Sequence, residues 1–192
     1  MLFGLVACNG SWQRSATAIA IDLEDENLVH RSELELHPTI GLVFSQDKPF
    51  TGTKLVPYES GAAAEKIQYR AGKKHGYHRK WFPNGRLGFE AVIVDGKRDG
   101  TAYSWWSNGN LRSEANYQDG KLHGKQLQWY QSGPLFKERN IVMGREEGIQ
   151  RAWRENGKIY NNYQAKNGRI FGLKRANLCF QLDDEVLQYE DK

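Results

Sequence analysis

Cysteine and proline are scarce in this chain of 192 residues, which has only 2 cysteines and 5 prolines. Small secreted domains held together by disulfides carry many more cysteines, so a disulfide framework is excluded. Glycine is plentiful, with 20 residues, and aromatic residues make up 12% of the chain. Many glycines beside enough apolar residues to form a core predict a folded chain with many tight turns.

A long apolar run is also missing, because no segment reaches the roughly 18 apolar residues of a membrane-spanning helix. The nearest feature is the start of the chain, where Leu5-Val6-Ala7-Cys8 ends a short apolar run. This run resembles the signal of bacterial lipoproteins, which implies cleavage before Cys8 and a lipid anchor on its thiol. Residues 1–8 contain no Lys or Arg and are shorter than a usual signal, so we expect the natural start to lie upstream. The alternative is a short buried strand with a core cysteine.

Signature motifs of several enzyme classes are absent from the sequence. There is no Gly-x-Ser-x-Gly nucleophile elbow, no phosphate-binding Gly-x-x-x-x-Gly-Lys-Ser/Thr loop and no dinucleotide fingerprint. The five histidines do not stand in a Cys, His or carboxylate spacing that would close a metal site. We therefore predict no catalytic residue, no metal and no cofactor. Two histidines that share one position of the repeat described below, His75 and His123, are interpreted as solvated turn residues.

The net charge of +4 is unevenly distributed. Residues 1–65 hold 4 Lys or Arg and 9 Asp or Glu, whereas residues 72–167 hold 17 and 9. A basic middle could attract nucleic acid, anionic lipid or an acidic protein, and a solvated sheet face would also explain it. We expect a protein partner, with a glycan as the alternative, and we do not expect nucleic acid.

Internal repetition decides the architecture, because residues recur with a spacing of 24. Paired glycines occupy one position of the repeat, at Gly72 and Gly76, Gly96 and Gly100, Gly120 and Gly124, Gly144 and Gly148, and Gly168 and Gly172. A tryptophan recurs in the same register, at Trp81, Trp105, Trp129 and Trp153. Each tryptophan is followed by an Asn-Gly or Ser-Gly pair and then by Leu or Ile.

Each repeat is predicted to be a β-hairpin. An Asn-Gly pair between short aromatic or β-branched runs is the strongest local hairpin signal, since both residues tolerate positive φ. In the unit 72–95 this signal predicts strands at 77–82 and 87–94. One hairpin is not stable alone, so the hairpins must pack on each other. The predicted fold class is all-β: an extended, twisted antiparallel sheet of tandem 24-residue β-hairpin repeats with N- and C-terminal capping strands.

The repeated elements resemble the bacterial variant of the MORN repeat, the MORN-2 type. These elements are Gly-Lys-x-x-Gly, an aromatic pair, Asn-Gly-Lys/Arg-Leu and a Glu before a Tyr, and they recur in phase over residues 48–172. The resemblance implies a β-hairpin repeat array used as an interaction surface. Such repeats occur in antitoxin-like proteins and in lipoproteins, so the resemblance implies no single activity.

The repeat register divides the chain into segments. Terminal units of repeat arrays usually differ from the rest because they shield an exposed sheet edge. The predicted segments are a lipoprotein signal at 1–8, an N-terminal cap at 9–47, five units at 48–71, 72–95, 96–119, 120–143 and 144–172, and a C-terminal cap at 173–192. Capping strands are expected at 29–36, 39–45 and 178–182, with Cys179 in the core.

The four repeated tryptophans are predicted to be structural spacers between hairpins, because each buries a large area beside a glycine turn. The next position in each unit holds another aromatic residue, which should face the opposite side of the sheet. Aromatic anchors beside polar groups are typical of binding surfaces. The predicted binding face consists of Phe82, Trp106 and Tyr130 together with Lys80, Arg112 and Lys125.

Three functional hypotheses follow. We favour a non-catalytic binding or scaffolding protein of the bacterial cell envelope, anchored by Cys8 on the periplasmic or surface side of a membrane. The alternative is a cytoplasmic antitoxin-like protein of a toxin-antitoxin pair. The third is a hydrolase that uses the repeated Glu90, Glu114 and Glu138. Their regular spacing is better explained by cross-strand pairing with Lys and Arg, and a flat sheet argues against a catalytic cleft.

Overall fold

The computed structural model describes residues 27–173, and this part of the chain is built from strands and tight turns. The predicted all-β fold is confirmed. The only helical structure within residues 27–173 is a single 3-10 turn at Arg31–Glu33. No helix in this range is long and apolar enough to cross a membrane.

The main sheet has 14 strands, most of which follow one another as an antiparallel meander. Its path begins with β1 (Leu28–His30), β5 (Gly52–Pro57), β6 (Ala63–Arg70), β7 (Lys73–Trp81) and β8 (Leu87–Val94). It continues with β10 (Gly100–Trp105), β11 (Leu111–Gln118), β12 (Lys121–Trp129), β13 (Leu135–Val142), β15 (Gly148–Trp153), β16 (Ile159–Lys166) and β17 (Arg169–Leu173). Two short strands complete the sheet: β9 (Lys97–Arg98) pairs with β8, and β14 (Arg145–Glu146) pairs with β13.

The turns with positive φ at both central residues are not the Asn-Gly turns, as the Asn-Gly signal predicted, but the turns at the opposite rim of the sheet. In the Asn-Gly turns only the glycine has positive φ, and the Asn84 side chain accepts a hydrogen bond from the Arg86 amide at 3.1 Å. The two-residue turns with positive φ at both positions lie at the other rim, for example at Asp95 (φ 47°) and Gly96 (φ 85°). All ten glycines of the paired-glycine pattern adopt positive φ, where a residue without a Cβ is least strained.

Hydrogen bonds between neighbouring units join the hairpins along both rims of the sheet. At the paired-glycine rim, the Gly96 amide donates to the Lys74 carbonyl at 2.8 Å, and the same bond recurs at Gly72, Gly120 and Gly144. At the Asn-Gly rim, the Asn84 side chain donates to the Ser107 carbonyl at 3.1 Å. The 24-residue spacing is therefore enforced by contacts between units as well as by the strand ladder.

The sheet buries one of its faces, which we call the inner face. Residues that lie opposite each other on neighbouring strands point to the same face of a sheet. Ala102 pairs with Ala115, and Ala115 pairs with Gln126, so all three lie on the inner face. All buried residues of β8 to β16 lie on this face: Ala91, Ile93, Ala102, Gln126, Ile141, Gln150, Ala152, Tyr163 and Ala165. Four of these nine residues are alanines, and two are glutamines. The opposite, outer face has no buried residue between β8 and β16.

The N-terminal end of the array carries a small second sheet. This sheet consists of β2 (Glu35–His37), β3 (Leu42–Ser45) and β4 (Lys48–Pro49), and β1 pairs in parallel with the edge strand β5. The strand predicted at 29–36 is interrupted by the 3-10 turn. Val29, Leu34 and Val43 pack against a cluster formed by the buried residues Phe50, Ile67 and Tyr69. These contacts place the small sheet on the inner face of the first hairpins.

Several predicted features lie outside the described residues. They are the signal at 1–8 with Cys8, the first part of the N-terminal cap, and the closing strand at 178–182 with Cys179. These stay predictions. The described part of the N-terminal cap, from Asn27 onward, covers the β5 edge through β1.

Candidate functional site: the outer face of the sheet

The four repeated tryptophans lie in a row on the outer face. Each follows directly after an inner-face residue such as Ser104 or Gln128, and successive side chains of a strand alternate between faces. None of the four is buried, and each is partly exposed. The Trp105 ring lies 5.9 Å from the ring of Tyr103 two residues earlier. A second row on the same face runs through the middle of the strands and includes Tyr103 and Leu127; we call it the central row. The four tryptophans together with Tyr103 and Leu127 are called the outer stripe.

Charged pairs flank the outer stripe in the central row of the same face. Arg79 Nε lies 2.7 Å from Glu90 Oε2, and Lys125 Nζ lies 3.2 Å from Glu138 Oε1. The expected pairing of the repeated glutamates with basic residues is thus confirmed for Glu90 and Glu138. The outer face therefore combines aromatic and apolar side chains with ion pairs, a composition that partner-binding surfaces share.

The aromatic residue that follows each tryptophan connects one unit to the next. Trp106 Nε1 donates to the Trp129 carbonyl at 3.2 Å, and the Tyr130 hydroxyl donates to the Trp153 carbonyl at 2.9 Å. Tyr58 occupies the same position one unit before Phe82, and its hydroxyl donates to the Trp81 carbonyl at 2.6 Å. A side chain held by such a bond is not free to reorient toward a partner, so these contacts favour a structural role for Trp106 and Tyr130.

The same aromatic position also packs on a β-bulge within its own hairpin. The Arg112 guanidinium lies 4.7 Å from the centre of the Trp106 ring, and the Tyr130 and Phe136 rings are 5.0 Å apart. At the equivalent position of another unit, a Cβ added to Gly88 would lie 2.9 Å from the Phe82 ring. Arg112 therefore does accompany Trp106, as predicted, in a contact within one unit.

The six residues of the predicted binding face do not form one surface. Lys80 pairs with Phe89 on the inner face and binds Glu65, with 3.1 Å between Nζ and Oε1. Lys125 stands three residues before Gln128, an inner-face residue, and therefore lies on the outer face. The spacing in the repeat contained this information, because the two lysines occupy repeat positions of opposite parity.

A histidine interpreted as solvated is instead buried. His75 is 7% exposed, and its Nδ1 lies 3.3 Å from both the Asp95 carboxylate and the Asp95 amide. The side chain at this repeat position caps the following two-residue turn, and the Glu147 carboxylate does the same for the Asn167 amide at 3.2 Å. His123 makes the same bond to the Met143 amide at 3.4 Å, so acceptors of different type cap the turn in three of the units.

One titratable cluster lies on the inner face near the first hairpins. His78 Nε2 lies 2.9 Å from Glu65 Oε1, which Lys80 also approaches. Burial lowers the pKa of His78 below its ordinary value, although Glu65 opposes the shift. Burial raises the pKa of Glu65, but hydrogen bonds from His78 and Lys80 outweigh this effect and leave that pKa lowered. Within residues 27–173 no group of three His, Cys, Asp or Glu residues is arranged to hold a metal ion.

Comparison with protein families matches one part of the chain. Residues 98–119 match the family described as the MORN repeat variant, and they include β10 and β11 of one hairpin. No curated protein matches the chain. The match supports a MORN-repeat protein, and the same turns and inter-unit bonds recur in the neighbouring units. MORN repeats are in general binding modules for proteins or membranes, and the family is in general non-catalytic.

Proposed function

We propose that this protein is a non-catalytic binding module of the cell envelope that docks a partner protein on its outer stripe. The proposal is supported chiefly by the partial exposure of the tryptophan ladder. Trp81, Trp105, Trp129 and Trp153 lie on the face where no residue between β8 and β16 is buried. Large aromatic side chains that remain accessible in a regular row provide apolar area at low entropic cost, which is what binding surfaces require.

A rigid scaffold adds to this argument. The stripe spans consecutive strands whose turns are joined at both rims, so its side chains are held in place before a partner arrives. Binding sites built on such frameworks lose less conformational entropy on association. The charged pairs of the central row, Arg79 with Glu90 and Lys125 with Glu138, would then form the polar surroundings of the aromatic row.

The location at the envelope rests on the sequence around Cys8. The Leu-Val-Ala-Cys run resembles a lipoprotein signal, and a diacylated cysteine would tether the array to a membrane surface. The polar residues between Cys8 and the first strand would then act as the tether. The outer stripe would be presented to partners in the same compartment.

Photo-crosslinking tests the docking surface. A photoreactive phenylalanine analogue is placed at Leu127 on the outer face or at Gln128 on the inner face, two adjacent and half-buried positions. We expect a discrete crosslinked partner from position 127 and none from position 128 in intact cells. The product should disappear when Trp105 and Trp129 are replaced by alanine. Crosslinking from position 128 alone would place the binding surface on the inner face, and a glycan adduct would identify a carbohydrate ligand.

Intact-mass measurement and detergent partitioning test the anchor. The chain is expressed from its own chromosomal locus, beside a Cys8→Ser variant. We expect a mature protein that begins at Cys8, carries the mass of the lipid and partitions into detergent, while the variant does not. A soluble and uncleaved wild-type chain would refute the anchor and favour the antitoxin-like alternative.

A further inference from the structure

A cleft separates the small sheet from the first hairpins of the array. It has a volume of about 760 Å³ and lies between the 3-10 turn, β2 and β3 on one side and β5, β6 and the start of β7 on the other. This volume falls within the range of about 300 to 1,000 Å³ that is typical of ligand sites. The cleft lies on the inner-face side of Tyr69 and is separate from the outer stripe.

Cations from three different elements line this cleft. They are Arg31 of the 3-10 turn, Lys54 of β5, and Lys73 and Lys74 of β7. None of the four forms an ion pair with another residue of the 27–173 range. The one carboxylate in the lining, Asp95, is already held by Arg70 and His75 at 3.3 Å each. The cleft thus carries a surplus of positive charge.

The charges act on one another across the cleft. Burial lowers the pKa of Lys54, and the neighbouring Arg31, Lys74 and Lys80 lower it further, while Glu65 opposes them. Cations that outnumber the nearby carboxylates raise the electrostatic free energy of the site, and an anion that enters relieves it. Lysine ammonium groups on separate elements present separate point charges, which suit a ligand with several anionic groups. Arginine side chains, in contrast, recognise a single planar anion with two parallel hydrogen bonds.

Apolar side chains form the rest of the lining. Leu34, Val43 and Tyr69 belong to or pack against the buried cluster of Phe50, and Leu36 is 59% exposed. An exposed leucine on an edge strand, beside lysines, offers an apolar contact next to charge. The lining therefore suits an elongated ligand that carries both carboxylates and an apolar group.

We propose that this cleft binds an acidic peptide segment of a partner protein, with its carboxylates on Arg31, Lys54 and the Lys73–Lys74 pair and an apolar side chain against Leu34 and Leu36. A single phosphate would engage only part of a charge distribution spread over three elements. A flat membrane surface would not enter a cleft recessed between two sheets. This site is separate from the outer stripe and can be tested without it.

Binding to the full-length chain can be followed by fluorescence anisotropy. The probe is a ten-residue peptide of alternating Glu and Leu with a fluorescent label, and the matched probe contains Gln in place of Glu. We expect the acidic probe to bind in a salt-sensitive manner and Lys73→Glu to weaken it by about tenfold or more. Lys121→Glu is the control, because Lys121 begins a nine-residue strand two units later, is exposed, and makes the same change in net charge.

Other outcomes would overturn the proposal. Equal weakening by Lys73→Glu and Lys121→Glu would show attraction to the general field of the basic array. Equal binding of the Gln probe would remove the role of charge, and binding of anionic vesicles without binding of the peptide would assign the cleft to lipid. A parallel chain with Asp22, Glu24, Asp25 and Glu26 changed to amides removes competition from the acidic segment before Asn27. Absence of peptide binding to that chain as well would refute the proposal.

Discussion

Replacing Gln150 with leucine is expected to destabilise the array from inside. Gln150 is 2% exposed, and its side chain takes the place of a β15 backbone partner for Asn140, which pairs with Lys125 of β12 on its other side. Its Oε1 accepts from the Asn140 amide at 3.1 Å, and its Nε2 donates to the Asn140 carbonyl at 2.8 Å. Gln126 makes the same pair of bonds with Asn116, at 3.1 Å each.

The magnitude follows from the Asn140 amide, which the substitution leaves without a partner, whereas the Asn140 carbonyl keeps a hydrogen bond from the Glu147 amide at 3.0 Å. Each unsatisfied buried polar group costs about 1 to 3 kcal/mol, and the apolar area of leucine offsets part of the loss. We therefore expect Gln150→Leu to lower the free energy of unfolding by about 1 to 2 kcal/mol. Gln164→Leu is the matched control, because Gln164 is exposed on the next strand, and its effect should stay within about 0.5 kcal/mol.

Urea denaturation measures this difference, and hydrogen exchange locates it. Exchange of the Asn140 amide should accelerate in Gln150→Leu, while amides of β7 and β8, far along the sheet, should change little because repeat arrays open locally. Equal stability of Gln150→Leu and wild type, or unchanged exchange at Asn140, would refute a stabilising role for the buried glutamine.

Three further predictions concern the inter-unit bonds, the glycine turns and acid stability. Tyr130→Phe should lower the free energy of unfolding by about 0.5 to 1.5 kcal/mol through loss of the bond to the next unit, while Tyr103→Phe should have no such effect; urea denaturation decides. Gly76→Ala should lower the melting temperature more than Gly85→Ala, because a Cβ at position 76 would clash with the amide oxygen of Gln68, whereas a Cβ at position 85 would have no atom within 4 Å. Both positions also pay the cost of about 1 to 2 kcal/mol for a side chain at positive φ. Burial lowers the pKa of His78 in the folded protein, so the unfolded chain protonates this residue at a higher pH than the folded protein does. The free energy of unfolding of the wild type should therefore fall as the pH drops below 6.5, and it should fall less steeply in His78→Gln.

The hairpins could be predicted from the sequence because their determinants are local and repeated. The strand predicted at 87–94 has the bounds of β8, whereas β7 begins at Lys73, four residues before the strand predicted at 77–82, and ends at Trp81. The position of the positive-φ pair was missed because Asn-Gly is the stronger statistical signal. Asp95-Gly96 carries that turn, while Asn84 uses its side chain for a hydrogen bond to Arg86.

The placement of the six residues predicted to form a binding face was harder to predict because it depends on contacts between units. Trp106 reaches the Trp129 carbonyl one unit later, and the sequence gives no sign of that bond. The opposite faces of Lys80 and Lys125 could have been found from their parity in the repeat. The basic cleft could not, since it forms only when the 3-10 turn with Arg31 folds back over β5 and β7.

The most direct test of the outer stripe compares the affinity of the crosslinked partner for two variants with substitutions at adjacent residues. Leu127→Asp introduces a charge on the outer face, and Gln128→Asp introduces the same charge on the inner face one residue away. Titration of the purified partner into each full-length variant, with circular dichroism to show that both are folded, should give a loss of about tenfold or more for Leu127→Asp, which corresponds to about 1.4 kcal/mol. Gln128→Asp should bind like wild type. Unchanged binding by Leu127→Asp, or a loss confined to Gln128→Asp, would contradict a docking surface on the outer face.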